Sequence, residues 1–207
     1  MLRITVCLLL ITSAGLLTAC VATPRTARDS SGQPVIAKSE QHQVTTIKEA
    51  LMTLQPQGDP AEAQRIAEVA VLTGAESAKS YGVMFPPAEH NWLVNRGLRP
   101  RGLCWQWTWD MAVAVAPIHP KTFDFHWGIS NAALFNEHNS IVVTARGQPF
   151  DTGITLDPWR SSGYVTAVRV VNDGTFKVPY DKDYKWIERR PPAGAAEIYR
   201  PGQKIPQ

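Results

Sequence analysis

Apolar residues fall along this chain in three textures. Near the start, Ile4 to Leu17 is mostly apolar, diluted by Thr5, Thr12, Ser13, Ala14 and Gly15. A bilayer span needs about 20 such residues. This shorter run, preceded by Arg3, has the form of a secretory h-region. Val21 to about Val44 is rich in Ser, Thr, Gln, Arg and Pro and holds no apolar period. Such a segment buries too little surface to offset its ordering entropy and reads as a tether. Helical spacing begins with Thr46, whose position three residues before Glu49 forms a capping box. Ile47, Ala50, Leu51 and Leu54 follow at helical intervals. Asp59-Pro60 opens a second helix, with Asp as N-cap and Pro in the first turn. In it Glu62, Arg65, Glu68, Glu76 and Lys79 share a charged face, and Ala63, Ile66, Ala67, Ala70 and Ala78 share the packing face.

Met84 to Arg101 holds Pro86, Pro87, Gly97 and Pro100 and reads as irregular. Leu103 to Ala116 fits two periods. Leu103, Trp105, Trp107, Trp109, Met111, Val113 and Val115 alternate as in a strand. The length of the run and Ala112, Ala114 and Ala116 favour a helix, apolar on every face and therefore central. After Pro117 the third texture begins. Phe123 to Ile129, Ser140 to Ala145, Gly153 to Leu156 and Tyr164 to Val171 are β-rich runs. Polar and Gly-containing turns separate them, and from Arg189 onward the chain is Pro- and Gly-rich and is expected to be extended. Helices followed by consecutive strands predict an α+β fold, with N-terminal helices and a central helix packed on a mostly antiparallel sheet.

Leu17-Thr18-Ala19-Cys20 has the order of a lipobox, which divides the chain. Residues 1–19 are expected to leave as a lipoprotein signal peptide. Residues 20–44 would be a lipid-modified Cys20, palmitate included, with its tether. Residues 45–188 would form the α+β domain and 189–207 a C-terminal extension. The expected location is the bacterial cell envelope, lipid-anchored and facing the periplasm. Val21 is not the Asp that favours inner-membrane retention in some bacteria, which points to the outer membrane. Charge adds little: Lys+Arg is 21 against 18 Asp+Glu, too small an excess to imply nucleic acid as a partner. Cysteine usage adds more. Cys7 leaves with the signal peptide and Cys20 carries lipid, so Cys104 would be the single free thiol of an exported protein, where thiols usually pair.

A catalytic thiol needs a setting that favours the thiolate, a histidine to move the proton and a third group to hold the imidazole. Cys104 follows Gly102-Leu103 at the head of the ambiguous segment, the positive end if that segment is a helix. His138 precedes the run Ile141-Val142-Val143, and Asp157 ends Gly153-Ile154-Thr155-Leu156. A turn at Arg146-Gly147-Gln148 would bring His138 and Asp157 to the same end of a hairpin.

Gly102-Leu103-Cys104-Trp105, Glu137-His138-Asn139 and Leu156-Asp157-Pro158-Trp159, in that order and spacing, resemble the transglutaminase-like branch of the papain-like cysteine peptidase superfamily. The likeness covers Leu103 to Trp159, about a quarter of the chain. It departs from that pattern at Asn139-Ser140, where a small residue and Trp are usual, and at Trp159, where Thr is usual. The resemblance implies a papain-like core, a helix at 103–116 and a triad of Cys104, His138 and Asp157. It also points to Asn91, Trp92 and Asn95, shortly before the cysteine, as oxyanion candidates, beside the backbone N–H of Cys104. His126, on an aromatic strand without a strand-closing Asp, is expected in a core or supporting role. The histidines show no metal-ligand spacing, no phosphate-cradling Gly-rich loop is present, and no cofactor is expected.

The implied function is an envelope-anchored, cysteine-dependent amide hydrolase or acyltransferase that works through a thioester. Its substrate would be a peptide, a protein or a peptidoglycan cross-bridge. The alternative is a non-catalytic envelope lipoprotein that uses its Trp-rich surface to bind a protein partner or a glycan. Reactivity of the Cys104 thiol in the folded state separates the two.

Overall fold

A computed structural model describes residues 36–174, 177 and 184–203. The segment expected to be a signal peptide, Cys20 and the expected tether as far as residue 35 lie outside the described residues. Four helices precede a five-stranded sheet: α1 (Lys38–Leu51), α2 (Pro60–Tyr81), α3 (Pro87–Asn95), α4 (Cys104–Val115), β1 (Phe123–Ser130), β2 (His138–Ala145), β3 (Ile154–Asp157), β4 (Thr166–Arg169) and β5 (Trp186–Arg189). The sheet order is β4-β3-β2-β1-β5, with every neighbouring pair antiparallel. The fold is α+β, as the succession of patterns predicts. No helix among the described residues is long and apolar enough to cross a membrane.

Helices α1, α2 and α4 bury their apolar faces on one side of the sheet. Val44, Ile47 and Leu51 of α1, Ile66 and Ala70 of α2, and Met111 and Val115 of α4 share a core with Phe125, Trp127, Ile141, Val143 and Leu156. On the opposite face Val142, Val170 and Trp186 cluster with Phe150. Because both faces are covered, every residue of β1 and β2 is buried, polar ones included. Those polar residues must then find partners inside the protein.

The segment from Leu103 resolves as a helix, but not one buried all round: Trp105 and Val113 are 43% and 48% exposed. Its alternating pattern arises because Trp105, Trp109 and Val113 follow one another at intervals of four on the outer side. The second helix starts as expected, with the Asp59 carboxylate accepting the Ala61 and Glu62 N–H groups at 2.7 and 3.1 Å.

Several expectations are corrected. The first helix begins at Lys38, so the domain starts within the segment read as tether. Glu40 accepts the Ala37 N–H at 3.1 Å there, while Thr46 sits inside the helix and donates to the His42 carbonyl. The cue that 38–44 is structured is tertiary: Gln43 is buried and accepts the Val165 N–H at 3.1 Å. Glu62 is not on a solvated face. It is buried and accepts from the Lys121 and Thr122 N–H groups and the Thr122 hydroxyl, tying the start of α2 to the start of β1. Residues 87–95, read as irregular, form α3, opened by Pro87 in its first turn.

The C-terminal segment is not a loose extension. Trp186–Arg189 is an edge strand on β1. Ala195, Ile198 and Tyr199 are buried in the helix-side core, and Arg200 pairs with Asp124 at 2.6 Å. Ile198→Ala should therefore cost about 2–5 kcal/mol of stability, read as a lowered urea midpoint. An unchanged midpoint would show the segment to be dispensable.

Candidate active site

Local sequence places Cys104. Gly102 takes φ +132°, and a Cβ there would lie 2.2 Å from the His90 ring. That buried imidazole bonds the Arg101 carbonyl at 2.9 Å. The Gln106 side chain then accepts the N–H groups of Gly102 and Leu103 at 2.8 and 3.0 Å, and the Trp107 indole donates to the Gly102 carbonyl. These contacts stop the chain at Leu103 and start α4 on Cys104. The partly exposed sulfur thus sits in the first turn, where N–H groups lack intrahelical acceptors and the dipole favours negative charge.

His138 opens β2, facing Ser130 across the β1–β2 pair. Asp157 closes β3, whose Leu156 pairs with Ile141 of β2. The two therefore meet at one end of the hairpin, and His138 Nε2 donates to Asp157 Oδ2 at 2.6 Å. Electrostatically the His138 imidazole is coupled to the Cys104 side chain. The thiol donates to the Glu137 carbonyl at 3.6 Å. The structure therefore gathers Cys104, His138 and Asp157 at one end of the sheet, with His138 bonded to Asp157 and the sulfur against the two residues that flank His138.

The His138 side chain is 2% exposed. It lies between two indoles, Trp159 at 4.9 Å and Trp186 at 5.7 Å between ring centroids. Burial works against its charge, but the adjacent Asp157 carboxylate outweighs burial, with Cys104 adding, and raises the His138 pKa to about 9. Burial likewise works against ionised Asp157, and His138 and then Arg160 overcome it, lowering that carboxyl to about 2.

Asp157 is held by more than the histidine. Its Oδ1 accepts the Trp159 N–H at 2.9 Å and the Arg160 N–H at 3.4 Å, the turn geometry favoured by an Asp followed by Pro. The Arg160 guanidinium donates to Asp157 Oδ2 at 2.7 Å and spans to Asp173 at 2.7 and 3.1 Å. Charges alternate along His138, Asp157, Arg160 and Asp173. No short spacing or motif points to Arg160 and Asp173, because the pairing depends on how the chain turns after β3 and β4.

The oxyanion candidates fall on or beside α3. Asn91 accepts from the Trp159 indole N–H at 3.1 Å and so supports the ring that covers His138. Trp92 and Asn95 are exposed, Trp92 under the Arg96 guanidinium at 4.9 Å. The side-chain amide beside the sulfur is that of Asn139, a residue that departs from the resemblance. Its Nδ2 lies 3.8 Å from Sγ, and its Oδ1 accepts from the Trp127 indole N–H at 2.8 Å. His126 lies four residues along β1 from Ser130, bonded to Glu188 at 2.6 Å and Thr144 at 2.9 Å. Among the described residues no group of three His, Cys, Asp or Glu is placed to hold a metal ion.

Comparison with known proteins adds no identity: no family model, curated protein or solved structure matches the chain.

Two outcomes follow from the buried charges. Arg160→Met leaves Asp157 and Asp173 buried without their shared cation and should cost about 3–5 kcal/mol in urea unfolding. A loss below 1 kcal/mol would mean that the guanidinium is not needed to hold them. A histidine whose pKa rises on folding adds stability below its ordinary value near 6.5, and that stability disappears as pH rises through about 9. The urea midpoint should fall across that interval, and His138→Gln should remove the fall. The Asp157 contribution, present above about 3.8, should be lost as pH falls towards about 2.

Proposed function

We propose that this chain is an envelope-anchored cysteine enzyme, an amide hydrolase or acyltransferase with Cys104 as nucleophile. The observation that carries the reading is the buried His138–Asp157 pair beside a thiol in the first turn of a helix, the sulfur resting against the two residues that flank His138. The resemblance to the transglutaminase-like branch of the papain-like fold is consistent with it. The lipobox at Cys20 supports the anchor and an exported location.

In this reading His138 takes the thiol proton, and the sulfur attacks the carbonyl carbon of an amide. The Cys104 N–H and Asn139 Nδ2 face the oxygen on which charge develops. As the tetrahedral intermediate collapses, the C–N bond breaks and His138 gives its proton to the leaving amine, leaving a thioester on Cys104. Water or a second amine then attacks the thioester, losing its proton to His138. The product is an acid in the first case and a new amide in the second. Asp157 keeps the imidazole in the tautomer and orientation that both half-reactions use. Arg160 in turn keeps Asp157 in place. A peptide, a protein or a peptidoglycan cross-bridge fits this chemistry as substrate.

A reactivity assay tests the reading without a known substrate. In the folded protein iodoacetamide should modify Cys104 at pH 6, and His138→Ala should slow the modification by about 10-fold or more. Equal rates in the two proteins, or modification only after unfolding, would leave a non-catalytic binding protein as the better account. Once a substrate is found, Cys104→Ala and His138→Ala should each lower kcat/KM by about 10³-fold or more, and the double variant should be no worse than Cys104→Ala. Asp157→Asn should cost less than either.

A further inference from the structure

Apolar side chains stand uncovered at the end of the molecule that carries Cys104. Ten large apolar side chains among the described residues are exposed, and all but Val113 and Val171 lie at this end. Four come from the 84–98 segment, and the others are Trp105, Leu134, Phe135 and Tyr164. Phe135 is fully exposed, on the loop between Ser130 and His138. Exposed apolar surface gathered on one side marks a contact with protein or with membrane.

Three observations favour lipid. First, a fully exposed Phe at the tip of a loop projects from the surface, a shape suited to entering a soft interface rather than to receiving a peptide in a groove. Second, the 82–101 segment carries exposed Arg96 and Arg99, with Arg96 over the Trp92 ring at 4.9 Å, against a single acid, Glu89. Aromatic rings with arginine are the side chains that favour a headgroup layer. Third, the chain enters the domain at this end. Gln43 of α1 bonds Val165, just after the turn that follows Asp157, while Thr53 beyond α1 bonds Arg169 at the far end of β4. Helix α1 therefore runs away from the catalytic end, and Ile36 precedes it there. Cys20 is 16 residues before Ile36, within roughly 55 Å if the chain is extended. No part of the domain need come between an anchor at Cys20 and the apolar rim.

We propose that this end of the domain docks on a bilayer surface, with Leu134 and Phe135 entering the headgroup region and Arg96 and Arg99 facing anionic headgroups. Cys104 would then act on amides presented at the membrane surface, a consequence that rests on the catalytic reading above, whereas the docking itself does not.

The test uses the lipidated chain in vesicles of phosphatidylethanolamine and phosphatidylglycerol. An environment-sensitive fluorophore is placed through Leu134→Cys or Val171→Cys, each combined with Cys104→Ser. The fluorophore at position 134 should shift to the blue and be quenched by lipid-borne spin labels at least 3-fold more than the one at 171, and adding Phe135→Ser should remove the difference. Equal quenching at the two positions would overturn the docking. Shielding of position 134 from aqueous iodide without quenching from the lipid would overturn it as well, since protein would then be covering the rim. Mass spectrometry of the same sample reports lipid on Cys20. Iodoacetamide reactivity of the unsubstituted protein reports on Cys104. The anchor, the catalytic reading and the docking can therefore fail separately.

Discussion

The alternating chain of buried charges from His138 through Asp157 and Arg160 to Asp173 is the constraint on which the rest of the site depends. It joins the start of β2, the end of β3, the turn after β3 and the segment after β4. Each member would be costly to bury alone. Together each charge faces an opposite one, and the turn N–H groups of Trp159 and Arg160 satisfy the remaining oxygen of Asp157. The same contacts that make the set tolerable inside the protein also fix the imidazole. Stability and orientation of the site are thus one problem here, solved by one set of hydrogen bonds.

Burial of the sheet on both faces explains why such a chain exists. Helices cover one side, and the other is covered by Trp186, Val170 and Phe150. Strand pattern normally sends every second side chain to water, but β1 and β2 have no wet face. Asp124, His126, Thr144 and His138 all pair internally as a result. At the sulfur, the helix and the sheet meet. Asn139 points to the helix side, where its oxygen is fixed by Trp127 and its amide nitrogen approaches Cys104. An amide held in this way is fixed in orientation beside the sulfur.

The ends of the molecule differ in kind. Glu62 of α2 bonds Thr122 just before β1, and Arg146 just after β2 bonds the Lys121 carbonyl, closing the end away from Cys104 with polar contacts. The end with Cys104 carries the irregular connections, the exposed aromatic side chains and the entry of the chain. Loops placed on a rigid layered scaffold are the usual location of binding and chemistry. Here three connections converge on that end: the one holding α3, the one before His138 and the one after Asp157.

Much of the architecture could be read from local pattern. Asp59-Pro60 marked the start of α2, β-rich runs between turn residues marked β1 to β4, and the order of helices before strands implied α+β. Cys104, His138 and Asp157 could be picked out because each sits at an element boundary, and boundaries have local signals: a Gly before a helix, a polar residue before an apolar run, an Asp before Pro. The features missed have no such signals. Residues 38–44 look like tether until Gln43 meets Val165, a contact across 122 positions. Glu62 looks solvated until it reaches Thr122, and the C-terminal segment looks loose until Ile198 and Tyr199 enter the core. Arg160 and Asp173 are ordinary charged residues until two turns bring them together. Periodicity and caps act over a few residues, so the sequence by itself determined α2, the position of α4 and the strands β1 to β4, but not the start of α1, nor α3 or β5. The partners of buried polar groups are chosen by which elements pack together, and only the tertiary structure decided those.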